Sequence, residues 1–356
     1  MPNALSTVPV LVLGAGSWGT ALAALACQRA PTLIWARNAD SAAQINELHQ
    51  LPAYLPTIQL PSQLKATADF TAAMQHVLGD DTQPGLIILG IPLVGLAAIC
   101  KQITALLPPQ RQHPLYILRT CKGFEPTTAQ LPHEITAQHL PTNLPWLHTG
   151  TLSGPSFAFE VAQGLPVALT VASPSAELAA CAVDILHGQT ARIYASTDLI
   201  GVEIGGALKN IIAIACGIAD GLALGTNARA ALITRGLAEI QRIGTALGGE
   251  AATFMGLTGL GDLVLTTTGD LSRNRSVGLA LAQGQSLDNI LASGLTAEGV
   301  RCAQAALKIA QQHNIDAPIT EAVCGVLFNG LSPQKAAQKL LSRVAVAESG
   351  AWPPSH

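Results

Sequence analysis

The chain has 356 residues, of which 49% are hydrophobic and 12% charged, with a formal net charge of −3. This length suggests two domains with a large core, and the apolar composition indicates buried parallel strands and closely packed helices. Because no block of basic residues occurs, we expect no nucleic-acid partner.

The same survey argues against several other classes of protein. The apolar, uncharged stretch 85–100 is shorter than a membrane span and contains Pro92, so we expect no integral membrane segment. The N-terminus lacks the basic region of a signal peptide. Seven scattered cysteines without a C-x-x-C pair indicate reduced thiols and a cytoplasmic protein. The nine histidines show no ligand spacing, so no metal is predicted.

The first predicted strand runs directly into the pattern G-A-G-S-W-G at residues 14–19, and a helix is predicted over 20–28. Such a turn places backbone N–H groups and a helix N-terminus against a pyrophosphate. Gly14 would make the turn, Gly16 would let the backbone approach the ligand, and Gly19 would allow close packing of helix on strand. An ordinary glycine turn is the alternative, but this position favours a dinucleotide site.

The end of the second predicted strand, 32–35, bears on which dinucleotide is bound. Enzymes that use only NAD commonly have Asp or Glu there, bonded to the ribose hydroxyls. This chain has Arg37, followed by Asn38. Arginine pairs with a 2′-phosphate and stacks on adenine, so we expect NADP to be accepted without NAD being excluded. The alternative is a solvated arginine at a strand end.

Short β-branched runs alternate with helical stretches up to about residue 195, which predicts a mostly parallel, doubly wound α/β sheet. The candidate strands are 8–13, 32–35, 86–89, 115–118, 148–152, 167–171 and 192–194. The proline-rich segment 51–64 is predicted to be irregular or a small hairpin.

After Thr197 the strand signals stop, and the remainder is predicted to form an all-α domain. The predicted helices are 198–218, 227–247, 298–313, 319–327 and a last one that starts at Ser332-Pro333, an N-cap followed by proline. We therefore divide the chain into domains at 1–196 and 197–356.

The helix through Lys209 combines a lone lysine with two interior glycines, Gly205 and Gly206. Each glycine costs roughly 1 kcal/mol relative to alanine, which close approach of a ligand or another backbone would offset. Lys209 lies off the apolar stripe of this helix and is a candidate proton donor, whose pKa partial burial would lower. A lysine that extends to solvent is the alternative.

Downstream, the glycine-dense stretch 256–263 precedes three threonines, 266–268, and the polar run 272–275. Arginine offers a planar fork to phosphate oxygens and Ser and Asn add neutral donors, so this region suits a phosphate site. A polar interhelical loop with solvated arginines is the alternative. Asp262 would either pair with Lys209 or cap a helix.

Two segments of the first domain, 120–123 and 153–158, follow predicted strand ends, where ligands bind in open α/β sheets. Each is also compatible with a plain turn.

Taken in order, these motifs resemble the bacterial NAD(P)-dependent glycerol-3-phosphate dehydrogenase family. The resemblance is carried by GAGSWG (14–19) with ALA (21–23), YLP (54–56), KG (122–123), SGPSFA (153–158), VEIGGALKN (202–210), DG (220–221), NARAALITRG (227–236), GDL (261–263) and SRNR (272–275). It runs from about residue 8 to 343 and is most specific over 202–236. It implies a Rossmann domain and a helical domain with the active site between them. It also implies reduction of dihydroxyacetone phosphate to sn-glycerol 3-phosphate, a phospholipid precursor, with NADP or NAD.

The resemblance also implies roles for individual residues, with Lys209 as the catalytic acid/base. The residues expected to contact the phosphorylated substrate are Lys122, Gly154, Ser156, Lys209, Asp262, Ser272, Arg273 and Asn274. Those expected at the cofactor are Gly14, Gly16, Ser17, Trp18, Gly19, Arg37, Lys122, Ala158, Arg273, Thr296 and Glu298. Thr296 stands where valine is usual, Leu93 where serine is common, and Thr267 where cysteine is frequent. A homodimer is left open.

Two other functions remain as alternatives. One is another two-domain dehydrogenase of this architecture, acting on hydroxyacids or ketopantoate. The other is a regulatory protein that senses NAD(P) without turnover. The joint presence of Lys209, Asp262 and Arg273 argues against the second.

Overall fold

The computed structural model describes residues 6–295 and 297–343. Its eight strands are β1 Val10–Leu13, β2 Thr32–Trp35, β3 Lys65–Thr67, β4 Gly85–Leu89, β5 Leu115–Arg119, β6 Leu147–Ser153, β7 Val167–Ala172 and β8 Ala191–Ser196. They form one sheet in the order β3-β2-β1-β4-β5-β6-β7-β8. Among these strands every neighbouring pair is parallel except β6 and β7. The predicted doubly wound, mostly parallel sheet is confirmed.

Helices cover both faces of this sheet. They are α1 Ser17–Ala26, α2 Ala39–Leu48, α3 Phe70–Leu78, α4 Leu96–Thr104, α5 Pro132–His139, α6 Ala158–Ala162 and α7 Ala176–Leu186, with a 3₁₀ turn at Leu93–Gly95. The side chains of β1 alternate between two apolar clusters, with Val10 and Val12 in one and Leu11 and Leu13 in the other. A strand buried on both faces explains why its sequence is continuously apolar.

The remainder of the described chain is helical, as predicted. It contains α8 Leu199–Gly221, α9 Gly225–Ala246, α10 Ala251–Phe254, a π-helical turn at Leu257–Gly261, α11 Asp262–Thr268, α12 Arg273–Ala282, α13 Leu287–Ala292, α14 Glu298–Gln312, α15 Pro318–Phe328 and α16 Pro333–Leu341. α16 begins as predicted, with the Ser332 side chain accepting a hydrogen bond from the Lys335 backbone.

Helix α8 is the central element of the helical region. It is long and apolar enough to cross a membrane, but 89% of its apolar window is buried inside the protein. Its surroundings are the neighbouring helices, and two glycines let α12 lie against it. A Cβ atom on Gly278 would lie 2.9 Å from the Gly217 Cα, so the two backbones touch. The apolar character of α8 is therefore explained by its place in the core.

Several features differ from the sequence-based predictions, among them the helices α10 to α13, which were not predicted. The short edge strand β3 was not predicted, because its three residues (KAT) show no apolar run. The segment 51–64 is irregular, one of its two predicted forms, with a single antiparallel bridge between Leu51 and Leu55. The glycine-dense stretch 256–263 is a π-helical turn followed by the start of α11 rather than a loop. Packing against Phe254 and α8 stabilises helical backbone that the glycines alone would disfavour.

The register of β7 matters for the site. Only three residue pairs join it to β6, from Thr151–Ala172 to Ser153–Thr170. The first half of β7 therefore extends past the carboxyl end of β6. Strand β8 pairs with β7 over all six residues of β7 and so extends with it. The predicted domain boundary after residue 196 falls between β8 and α8 and stays a prediction.

Candidate active site

The glycine turn between β1 and α1 has the geometry that a pyrophosphate requires. Gly14 has φ +113°, a conformation that side chains rarely adopt. A Cβ atom on Gly19 would collide with the Gly14 carbonyl oxygen, so this glycine permits the close contact of helix and strand. At Gly16, by contrast, a Cβ atom would meet nothing within 4 Å. The turn therefore leaves space beside the N-terminus of α1, and it fits a dinucleotide.

Further predicted cofactor residues surround this turn. Trp18 and Ala158 pack against the same apolar cluster, because α6 lies against α1. Arg37 is exposed just beyond β2, beside Asn38, which caps α2. Within residues 6–295 and 297–343 its guanidinium forms no recorded hydrogen bond or ion pair. This arginine is thus available to an anionic group near the turn.

Three charged side chains from three elements meet at Asp262. The Lys209 Nζ of α8 donates to Asp262 Oδ1 at 2.5 Å, and the Lys122 Nζ beyond β5 donates to Asp262 Oδ2 at 2.7 Å. Asp262, the first residue of α11, is 1% exposed. Two ammonium groups thus neutralise one buried carboxylate and leave an excess positive charge. The arrangement suits a substrate that carries negative charge or develops it.

The Lys209 ammonium also donates to the Thr266 Oγ1 at 2.7 Å. Burial lowers the pKa of Lys209 to about 8; Asp262 opposes that shift and the positive charge of Lys122 adds to it. A pKa near the working pH lets this group both donate and accept a proton. The predicted lowering of this pKa by burial therefore agrees with the geometry.

The α8 glycines explain how Lys209 reaches this position. A Cβ atom on Gly205 would lie 2.6 Å from the Thr258 carbonyl oxygen of the π-helical turn. A Cβ atom on Gly206 would lie 3.2 Å from the Ser153 Oγ and 3.4 Å from the Lys122 side chain. Gly205 is thus explained by the close approach of another backbone, and Gly206 by the close approach of the Ser153 and Lys122 side chains.

The turn after β6 forms another wall. Gly154 has φ +134°, and its carbonyl oxygen accepts hydrogen bonds from the Lys122 Nζ at 3.4 Å and the Ser156 Oγ at 3.2 Å. Pro155 lies against Gly261 of the π-helical turn. The sequence-predicted segments 120–123 and 153–158 are therefore brought together with Asp262.

Three predicted substrate residues lie at the start of α12, and they differ in their contacts and in their exposure to solvent. Ser272 is buried, and its Oγ accepts from the Arg275 backbone, so it caps the helix. The Asn274 side chain donates to the Asn210 Oδ1 at 3.0 Å and accepts from the Gly299 backbone at 2.9 Å. Asn274 thus keeps one amide N–H for a ligand. Arg273, the first residue of α12, is exposed.

Arg275 has a separate structural role. Its guanidinium pairs with Asp220 at 2.8 Å and with Asp270 at 3.1 Å, and Arg229 also pairs with Asp220. These contacts fasten α12 to the end of α8. Arg275 is therefore occupied by the protein's own carboxylates.

Glu298 begins α14 and faces the Lys122-Gly123 turn, where its Oε2 would lie 3.9 Å from a Cβ atom on Gly123. Burial raises its pKa, while the charges of Arg301 and Arg273 oppose that rise. Leu93 packs against the same turn. Thr296, predicted at the cofactor, lies outside the described residues.

Sequence reasoning placed Thr266 only among the hydroxyls of a phosphate site, and it assigned no role to Asn210. Thr266 follows Asp262 by four residues, so a helix over 262–268 would have placed its hydroxyl beside the carboxylate facing Lys209. The amide of Asn210 links α8 to α12 through Asn274. No signal short of the helix packing would have revealed that contact.

Comparison with known proteins shows which family the chain resembles. The sequence profile of the NAD-dependent glycerol-3-phosphate dehydrogenase N-terminus matches residues 9–179, and that of the C-terminus matches residues 198–338. A glycerol-3-phosphate dehydrogenase structure from Coxiella burnetii is 38% identical, with a TM-score of 0.84 over 95% of this chain and 99% of that one.

More distant structures share the fold. The glycerol-3-phosphate dehydrogenase of Saccharomyces cerevisiae is 26% identical, with a TM-score of 0.78 over 94% of this chain and 99% of that one. A probable 2-dehydropantoate 2-reductase from Bacillus subtilis is 14% identical, with a TM-score of 0.50 over 90% and 99%. The second likeness is one of fold alone, so the alternative of a ketopantoate enzyme is not favoured. The chain belongs to the NAD-dependent glycerol-3-phosphate dehydrogenase family.

Proposed function

We propose that this chain reduces dihydroxyacetone phosphate to sn-glycerol 3-phosphate, with Lys209 as its proton donor. The observation that carries the proposal is the cluster at the carboxyl end of the sheet in which the buried Asp262 pairs with the buried Lys209 and the half-buried Lys122. The space at Gly16 and the N-terminus of α1 would hold the pyrophosphate of NAD or NADP, with Ser17, Trp18 and Ala158 alongside. When bound, the reduced nicotinamide supplies the hydride that the ketone carbon accepts.

The protein's own groups then control the oxygen and the phosphate. The Lys209 Nζ, protonated below about pH 8, donates its proton to the ketone oxygen as negative charge develops there. Asp262 and Thr266 hold that ammonium in place. Lys122 adds positive charge beside it. We assign Arg273, with the remaining Asn274 N–H, to the substrate phosphate, whose binding orients the ketone.

Lys209→Ala tests the proton donor. We expect turnover to fall by roughly 10²–10⁴-fold, because general acid catalysis and the charge near the oxygen are both lost. NADPH affinity should change little, since the Lys209 side chain is held by Asp262 and Thr266 and not by the glycine turn. Steady-state NADPH oxidation and fluorescence titration measure the two effects. A variant that kept more than about a third of wild-type kcat would exclude Lys209 as the acid.

The pH dependence follows from the same group. Reduction needs protonated Lys209 and oxidation needs it neutral, so kcat for reduction should fall, and kcat for oxidation rise, as pH passes through about 8. Because the Lys122 charge lowers the pKa of Lys209, Lys122→Met should move both midpoints to higher pH. Profiles measured in both directions would show this. An unchanged midpoint in Lys122→Met would contradict the coupling.

Arg37→Asp tests the choice of cofactor. We propose that Arg37 binds the 2′-phosphate of NADP, since it is exposed beyond β2 where NAD enzymes carry an acid. The change should weaken NADPH relative to NADH by roughly 1–3 kcal/mol, through loss of a charge-assisted contact and added repulsion. KM values for both cofactors provide the measurement. Equal changes for NADH and NADPH would make Arg37 a surface residue only.

Arg273→Ala tests the phosphate site, with Arg275→Ala as its matched control. Arg273→Ala should reduce kcat/KM for dihydroxyacetone phosphate by about 10²-fold, roughly 3 kcal/mol, but affect unphosphorylated dihydroxyacetone much less. Arg275 is occupied by Asp220 and Asp270, so its loss should affect both substrates by one factor. If Arg273→Ala also lowered both substrates equally, its phosphate role would be wrong.

The cellular location and the oligomeric state of the enzyme are also proposals. Seven free cysteines, six of them buried, support the cytoplasm as its location. The apolar composition supports a homodimer, which light scattering on the purified chain would test.

A further inference from the structure

Glu203 is a buried carboxylate that neither the substrate site nor the cofactor turn uses. It lies on α8, six residues before Lys209, and is 4% exposed. Its Oε1 accepts from the Arg119 Nε at 3.3 Å. Its Oε2 accepts from the His133 backbone at 3.1 Å and lies 2.8 Å from the His133 Nδ1. One side chain of α8 thus joins the end of β5 to the first turn of α5.

Arg119 is the partner that ties this contact to the active site. It is the last residue of β5, three residues before Lys122, and it is completely buried. Its Nη2 lies 3.2 Å from the Glu203 Oε1, yet neither Nη1 nor Nη2 has a hydrogen-bond partner among the described residues. An ion pair with unmatched donors is a costly way to fill a core, because apolar side chains of similar volume serve stability as well or better.

The same two elements, β5 with its following turn and α8, are therefore joined by charge at two points. The first point is Arg119 with Glu203. The second is Lys122 with Lys209, through Asp262. Along α8 the two points are six residues apart, about 9 Å. One point would leave the helix free to pivot on the strand, whereas two fix both its distance and its rotation.

We propose that Glu203 is a positioning residue that, through Arg119 and His133, sets α8 against the end of β5 and so places Lys122 relative to Lys209. Close packing between these two contact points supports this proposal. A Cβ atom on Gly206, midway between Glu203 and Lys209, would lie only 3.4 Å from the Lys122 side chain. A small rotation of α8 would therefore displace Lys122 from Asp262. The inference rests on the proposed role of Lys209.

Glu203→Gln tests this role, because the amide keeps the volume and removes the charge. We expect kcat for dihydroxyacetone phosphate to fall about 10- to 100-fold, since small misplacements of reacting groups have effects of this size. KM for NADPH should change less than kcat, because the glycine turn that would hold the pyrophosphate is a separate element. The pH midpoint of kcat should move, because the pKa of Lys209 depends on its distances from Lys122 and Asp262. A purely structural role would not move that midpoint in the folded enzyme.

Glu239→Gln is the matched control. Glu239 is also buried, and among the residues that the structure describes it accepts hydrogen bonds only from Ile319 and Thr320 at the start of α15. The Glu239→Gln substitution should lower the melting temperature but leave kcat and the pH midpoint of kcat at their wild-type values. If Glu203→Gln does not fold, His133→Ala is the second test, because it removes one partner of Glu203 at a partly exposed position. It should lower kcat less and move the midpoint in the same direction.

The outcomes separate the two proposals. Wild-type kcat and pH midpoint in both Glu203→Gln and His133→Ala would overturn the positioning role and leave the proposed function intact. A wild-type enzyme without activity on dihydroxyacetone phosphate would overturn the proposed function itself.

Discussion

The site depends on one buried carboxylate. Asp262 is almost inaccessible to solvent, and a charge in that environment is stable only with close partners. Those partners come from the sheet region, as Lys122, and from the helical region, as Lys209. Each ammonium is in turn tolerated because the carboxylate is there. The site can therefore form only when the two parts of the chain are packed together.

Glycines determine where these charges meet. Gly205 brings α8 against the π-helical turn that leads into Asp262, and Gly217 and Gly278 bring α12 against α8. Gly299 in turn lies against the Asn210 backbone, which sets the start of α14 close to the same helix. Larger residues at these positions would separate the helices that carry Lys209, Asp262, Arg273 and Glu298. The glycines thus allow the helices to pack closely, and the ionic contacts stabilise the charges that this packing brings together.

Much of this could be predicted from the sequence, where local rules apply. Seven strands, the all-α second half and the glycine turn follow from apolar runs, periodicity and backbone chemistry within a few residues of each position. The pairing of Asp262 with Lys209 was one of two expectations, and the structure shows this pairing. The other expectation, a helix cap, was wrong, because Gly261 is the N-cap of α11 and the Asp262 carboxylate makes no capping hydrogen bond within the described chain.

What could not be predicted depends on contacts between distant parts of the chain. The helical state of 256–263 requires packing against α8, and the short strand β3 requires the edge that β2 offers. The hydrogen bond between Asn274 and Asn210 joins residues 64 positions apart, and the one between Arg119 and Glu203 joins residues 84 positions apart. No local pattern encodes such pairs.

The offset register of β7 has a consequence for the solvent in the site. Because its first half extends past β6, it stands beside the turn that carries Gly154, with the Ala168 carbonyl oxygen 3.0 Å from where a Cβ atom would be. The π-helical turn closes the same side, where Gly261 meets Pro155. This wall of backbone shields that side of the site, where the Asp262 side chain is only 1% exposed. The low local dielectric that results strengthens every charge interaction at the reacting oxygen.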